Sequence, residues 1–85
     1  MRKIDHHYFV QKDLSEYWSA ELGWLHCGDL VRTTGTDLRR GGLGMVIGFM
    51  SDHNRDETVV AILDPRKPEN IQFSGINYLT IEAAG

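Results

Sequence analysis

Eighty-five residues suit one domain and leave no room for two. A chain this short buries only about 60–65% of its extended-chain surface on folding, which leaves little volume for a deep active-site cavity. With 41% hydrophobic and 25% charged residues the composition is globular and excludes a disordered tail, and the formal charge of −3 lacks the basic balance of a dedicated nucleic-acid binder.

The opening Met1-Arg2-Lys3-Ile4-Asp5-His6-His7 is charged and has no apolar stretch of the kind a signal peptide needs. Cys27 is the only cysteine, so no intramolecular disulfide framework can form. No apolar run approaches the roughly 20 residues of a membrane span. A reducing, cytoplasmic setting is the simplest expectation. Tyr8-Phe9-Val10 is an apolar knot in an otherwise polar arm. Residues 13–22 read as a short helix. Asp13 or Ser15 caps it, and Leu14, Tyr17, Trp18, Leu22 and Leu25 fall at spacings of three and four. Gly23 stops it. About ten residues of helix do not persist alone, so this stripe is expected to dock on the rest of the chain.

From Gly28 onward the pattern changes to short apolar runs separated by glycine-rich or polar turns. Strands are expected at 29–34, 43–50, 57–64, 70–73 and 78–82, with polar turns at 33–42, 51–56 and 65–69. Five short strands at this spacing make a small barrel or sandwich. The chain therefore divides into an N-terminal arm and helix, 1–27, and a β domain, 28–85. Strand 57–64 is apolar on both faces: Val59, Ala61 and Leu63 alternate with Val60 and Ile62. Strand 43–50 is similar, with Met45, Ile47 and Phe49 against Val46 and Met50. A sheet with one wet face alternates apolar and polar residues. Both faces here are therefore expected to be covered, the second one by the helix or by another chain.

Two segments carry a resemblance. Gly28-Asp29-Leu30-Val31-Arg32 followed by Gly42-Leu43-Gly44-Met45-Val46-Ile47-Gly48-Phe49 resembles the opening hairpin of SH3-like barrels, including KOW modules and small proteins of tailed phages. Phe73-Ser74-Gly75-Ile76-Asn77-Tyr78-Leu79-Thr80-Ile81 is similar to the closing stretch of SH3 domains, where a 3₁₀ turn carrying Asn-Tyr precedes the last strand. The resemblance implies a mainly β fold: a five-stranded SH3-like small barrel preceded by the short N-terminal helix. It further implies a non-catalytic interaction module, an accessory or structural component of a larger, phage-type assembly. Peptide-binding SH3 domains carry an aromatic-rich first loop and a mid-chain tryptophan. Loop 33–42 has no aromatic residue and both tryptophans precede the barrel, so only Tyr78 matches their proline groove.

Candidate chemistry is sparse. His6, His7, His26, Cys27 and His53 lack the paired spacings of zinc sites, so no metal and no cofactor is expected. Cys27 beside His26 lacks an orienting third group, and a buried structural thiol is the simpler reading. Gly41-Gly42-Leu43-Gly44 lacks the Gly-Lys-Ser/Thr ending and the following helix of a phosphate loop. The carboxylates Asp13, Glu16, Glu21, Asp56 and Glu57 give no sign of converging on one cleft, and no enzyme is expected. The expected contacts to a protein partner, or to a second copy, are Trp18, Trp24, Arg39, Arg40 and Tyr78, since large aromatics dominate interface energetics. The alternative is a KOW-like nucleic-acid binder gripping phosphate with Arg32, Arg39 and Arg40.

Overall fold

The computed structural model describes residues 3–33, 42–52, 54 and 57–85. Eight strands run in chain order: β1 (Phe9–Gln11), β2 (Glu16–Ser19), β3 (Gly23–His26), β4 (Leu30–Thr33), β5 (Leu43–Asp52), β6 (Thr58–Asp64), β7 (Lys67–Gly75) and β8 (Leu79–Ala83). One 3₁₀ turn, Ile76–Tyr78, immediately precedes β8. The main sheet has the order β7-β6-β5-β4-β8, with β1 added to the far end of β5. All its pairings are antiparallel. β7 and β8 lie at opposite ends of that order, so the sheet is open. The five strands expected from the turn pattern all form, with shifted ends: the first shortens to Leu30–Thr33, and the fourth extends to Lys67–Gly75.

The expected helix over 13–22 does not form. Glu16–Ser19 and Gly23–His26 instead pair as a separate two-stranded sheet. The apolar stripe fits either structure, and tertiary contacts decide between them. As a hairpin, Tyr17 and Leu25 face the core while Glu16, Trp18, Trp24 and His26 face outward. A helix would have aimed both Tyr17 and Trp18 at the main sheet. Tyr and Trp are strand formers, which favours the hairpin locally. The loop Ala20–Leu22 closes between the paired Ser19 and Gly23, where Gly23 takes φ +75°, a left-handed value that suits glycine. The Ser19 hydroxyl accepts the Leu22 N–H at 3.0 Å and fixes that loop.

β5 and β6 form the centre, and both of their faces are buried. Cross-strand pairs Val46↔Ile62 and Phe49↔Val60 point one way. They meet Leu25, Val31 and Leu79, with Tyr17 and Cys27 at the margin. On the other face Ile47, Met50 and Ala61 meet Ile4, flanked by Phe9 and Phe73. A register shift between Val46 and Gly48 inserts Ile47 as an extra residue, which lets Val46 and Phe49, three apart, share one face. The hairpin β2–β3 covers the first face. The N-terminal arm covers the second.

The arm is seated by hydrogen bonds as well as by contact. The Ile4 N–H donates to Gln11 Oε1 at 2.8 Å, and the Lys12 N–H donates to the Phe49 carbonyl at 2.8 Å. Its close approach needs Gly48, because a Cβ there would lie 2.8 Å from Ile4 Cδ1. The His6 ring meets Phe73 edge-on at 4.5 Å and lies 4.9 Å from the Phe9 ring.

Three substitutions test this arrangement. Leu25, 1% exposed, and Ile4, 6% exposed, sit in opposite cores. Leu25→Ala and Ile4→Ala are each expected to lower the unfolding free energy by about 2–5 kcal/mol. Trp18→Ala is expected to cost no more than about 1 kcal/mol, because its indole lies outside both cores. Urea unfolding of the three variants measures all three values.

Candidate interaction surface

The outer face of the β2–β3 hairpin carries two cross-strand pairs. Trp18 faces Trp24, and Glu16 faces His26. The tryptophans are 56% and 55% exposed. Trp24 stacks on His26 with ring centroids 6.4 Å apart and planes tilted by 28°. His26 Nε2 lies 3.2 Å from the Glu16 carboxylate, and its Nδ1 lies 3.6 Å from that of Asp29. Alternation along β3 explains the pattern: Trp24 and His26 point out because Leu25 must point in.

Asp29 holds the base of this face. It is 3% exposed, and its carboxylate accepts the His26 backbone N–H at 2.8 Å and the Gly85 N–H at 2.9 Å. Burial pushes its carboxyl up. The two backbone N–H bonds and the neighbouring His26 outweigh burial and hold it below its ordinary value. One side chain therefore ties the end of the hairpin to the segment after β8. Gly28, at φ +99°, makes the corner on which this depends, and the backbone ladder continues from it: the Gly28 N–H donates to the Val46 carbonyl at 2.8 Å.

The described members of the expected contact set lie in two places. Trp18 and Trp24 come together on the hairpin. Tyr78, 52% exposed, sits on the 3₁₀ turn and lines a separate cleft of about 700 Å³ on the inner side of the hairpin. Tyr17, Glu21, Glu57 and Asn77 also line that cleft. Arg39 and Arg40 lie outside the described residues. The Arg32 Nε donates to Glu82 Oε1 at 2.6 Å across the β4–β8 pair, so a carboxylate already meets its charge.

The chemistry-bearing pair His26 and Cys27 separates. His26 turns to the carboxylates outside, while Cys27 packs against the inner core, and burial pushes its thiol up. A raised thiol value disfavours the thiolate that a nucleophile needs. Among the described residues no group of three or more His, Cys, Asp or Glu side chains could hold a metal ion. Also among the described residues, no helix is long and apolar enough to cross a membrane.

The sequence puts Tyr17, Trp18, Trp24 and Leu25 together at one seam, with any that are exposed as anchors; the structure leaves Tyr17 and Leu25 inside and turns both tryptophans out, and the roles of Asp29, Glu16 and His26 are not foreseen. A signal for the last two was available, since Glu16 and His26 flank the Tyr-Trp and Trp-Leu dipeptides symmetrically about the 20–22 loop. Comparison with known protein families, with curated proteins and with solved structures finds no match.

The Asp29 tie sets an acid limit. Its carboxyl is held below 3.8, the ordinary value, so the folded chain keeps it ionised at a pH where the unfolded chain has protonated it. Its stabilisation is complete above that value and is lost as pH falls through the lower folded value. Asp29→Asn is expected to be less stable at neutral pH and to show a shallower loss of stability below about pH 4. Parallel slopes for the two proteins in thermal melts from neutral to acid pH would refute the tie.

Proposed function

We propose that this chain is a non-catalytic protein-interaction module, an accessory or structural component of a larger assembly of the tailed-phage kind, which docks through the Trp18–Trp24 face. The observation that carries the reading is the exposure of both tryptophans, at 56% and 55%, on one rigid hairpin face. Tryptophan is enriched in interface hot spots, where its burial dominates binding.

The magnitudes define what such a face can do. Each indole leaves on the order of 100 Å² of apolar surface in water, and at ~25 cal/mol/Å² its burial is worth about 2–3 kcal/mol. Two indoles supply roughly 5 kcal/mol, close to the lower bound of about 4 kcal/mol that association costs in lost freedom. The pair therefore acts as an anchor that needs surrounding contacts. Glu16 and His26 are positioned to provide polar rim contacts beside it.

We read β4 to β8 as an SH3-like barrel. The antiparallel order β7-β6-β5-β4-β8 and the 3₁₀ turn directly before the last strand support that reading. The hairpin and arm are additions that an SH3-like core of this kind would carry on its two faces.

Affinity purification of the tagged chain from cells that make it tests the proposal. The wild-type chain is expected to retain a defined partner, and the double variant Trp18→Ser, Trp24→Ser to lose at least 90% of it, on the order of a hot-spot effect. The variant's far-UV and urea-unfolding profiles should stay close to wild type, because both indoles lie outside the cores. Unchanged partner recovery by the folded double variant would contradict the proposal.

A further inference from the structure

The cleft on the inner side of the hairpin is a second surface, independent of the tryptophan face. It lies at the open end of the β6–β7 ribbon, where Glu57 to Val59 and Gly75 to Tyr78 form one side and the hairpin residues Tyr17 and Glu21 the other. Glu21 and Glu57 are exposed and, among the described residues, make no ion pair. Near the cleft wall, the Lys12 Nζ donates to Thr58 Oγ1 at 2.8 Å and sits 5.7 Å from the centre of the Tyr17 ring. The cleft is open to solvent and has a volume of about 700 Å³.

The opposite end of the same ribbon is the turn at Pro65 and Arg66, which leads into Lys67 and Pro68 at the start of β7 and is flanked by Asp64 and Glu69. Pro65, Arg66, Lys67 and Pro68 are all exposed, and among the described residues Arg66 and Lys67 are the only adjacent pair of cations. The Arg66 side chain is 84% exposed and reaches Asp64 only at 3.7 Å. The turn is already ordered: the Arg66 N–H donates to Asp64 Oδ1 at 2.9 Å, and two prolines flank the cations. An ordered turn loses little conformational freedom on docking. β6 runs seven residues between the two ends, so cleft and turn are separated by roughly 20 Å and face opposite ways along one ribbon.

We propose that the cleft receives the Pro65–Pro68 turn of a second copy of this chain, with Arg66 and Lys67 against Glu21 and Glu57 and the guanidinium beside Tyr78. A guanidinium on a tyrosine face gains a cation–π contact as well as the ion pair. Because donor and acceptor surfaces lie at opposite ends, the contact is head-to-tail. It extends into an open row or closes into a ring, and it does not stop at a two-fold dimer.

Light scattering coupled to size-exclusion chromatography tests this at low salt up to about 1 mM chain, the limit at which a contact of about 4 kcal/mol is still seen. The mass is expected to rise with concentration beyond that of a dimer. It is expected to return to monomer near 0.5 M salt, where screening shortens to a few ångströms. The variant Glu21→Lys, Glu57→Lys and the variant Arg66→Glu, Lys67→Glu should each be monomeric, and an equimolar mixture should associate again. That recovery also shows that both variants fold. A monomer throughout, association that neither charge reversal disturbs, or a mixture that fails to recover overturns the proposal. So does association lost only in Trp18→Ser, Trp24→Ser, which would seat the second copy on the tryptophan face and leave the proposed function standing.

Discussion

The structure depends on a ribbon that is apolar on both faces. Val46, Phe49, Val60 and Ile62 project from one side of β5–β6, and Ile47, Met50 and Ala61 from the other. Each fully buried aliphatic or aromatic side chain is worth about 1.5–3 kcal/mol relative to exposure. Neither face can be left wet in a chain of 85 residues. The rest of the molecule supplies the two covers. The β2–β3 hairpin brings Leu25 and Tyr17 to one face, and the N-terminal arm brings Ile4 and Phe9 to the other.

The proposed docking face follows from how the first cover is built. A helix laid on the ribbon would have buried its aromatic stripe. A hairpin alternates, so burying Leu25 and Tyr17 commits Trp18 and Trp24 to the outside. The exposed tryptophan pair is thus a consequence of strand geometry. Asp29 then ties the hairpin's end to the segment after β8 by accepting from both His26 and Gly85.

Much of this was legible from residue order. The two-sided apolar pattern of 43–50 and 57–64 announced a covered ribbon, and the glycine and proline punctuation placed the five strands around it. The cover itself was misread. Leu14, Tyr17, Trp18, Leu22 and Leu25 satisfy the helical period, and three of them, Tyr17, Trp18 and Leu25, also fit a hairpin about the 20–22 loop. Only packing against Phe49, whose ring lies 5.8 Å from that of Tyr17, separates the two. The second cover was hidden for a different reason: a lone Ile4 in a charged arm gives no periodic signal, and its seat exists because Gly48 leaves room for it. The cleft was invisible too, since it joins Glu21 to Glu57 and Tyr78 across most of the chain.

The most direct measurement is a nuclear Overhauser map of the methyl and aromatic protons. The account predicts contacts from Leu25 methyls to Phe49 and Val60, from Ile4 methyls to Ile47 and Met50, and between the Tyr17 and Phe49 rings. Sequential amide contacts of a helix over 13–22, with Trp18 against Phe49, would contradict it.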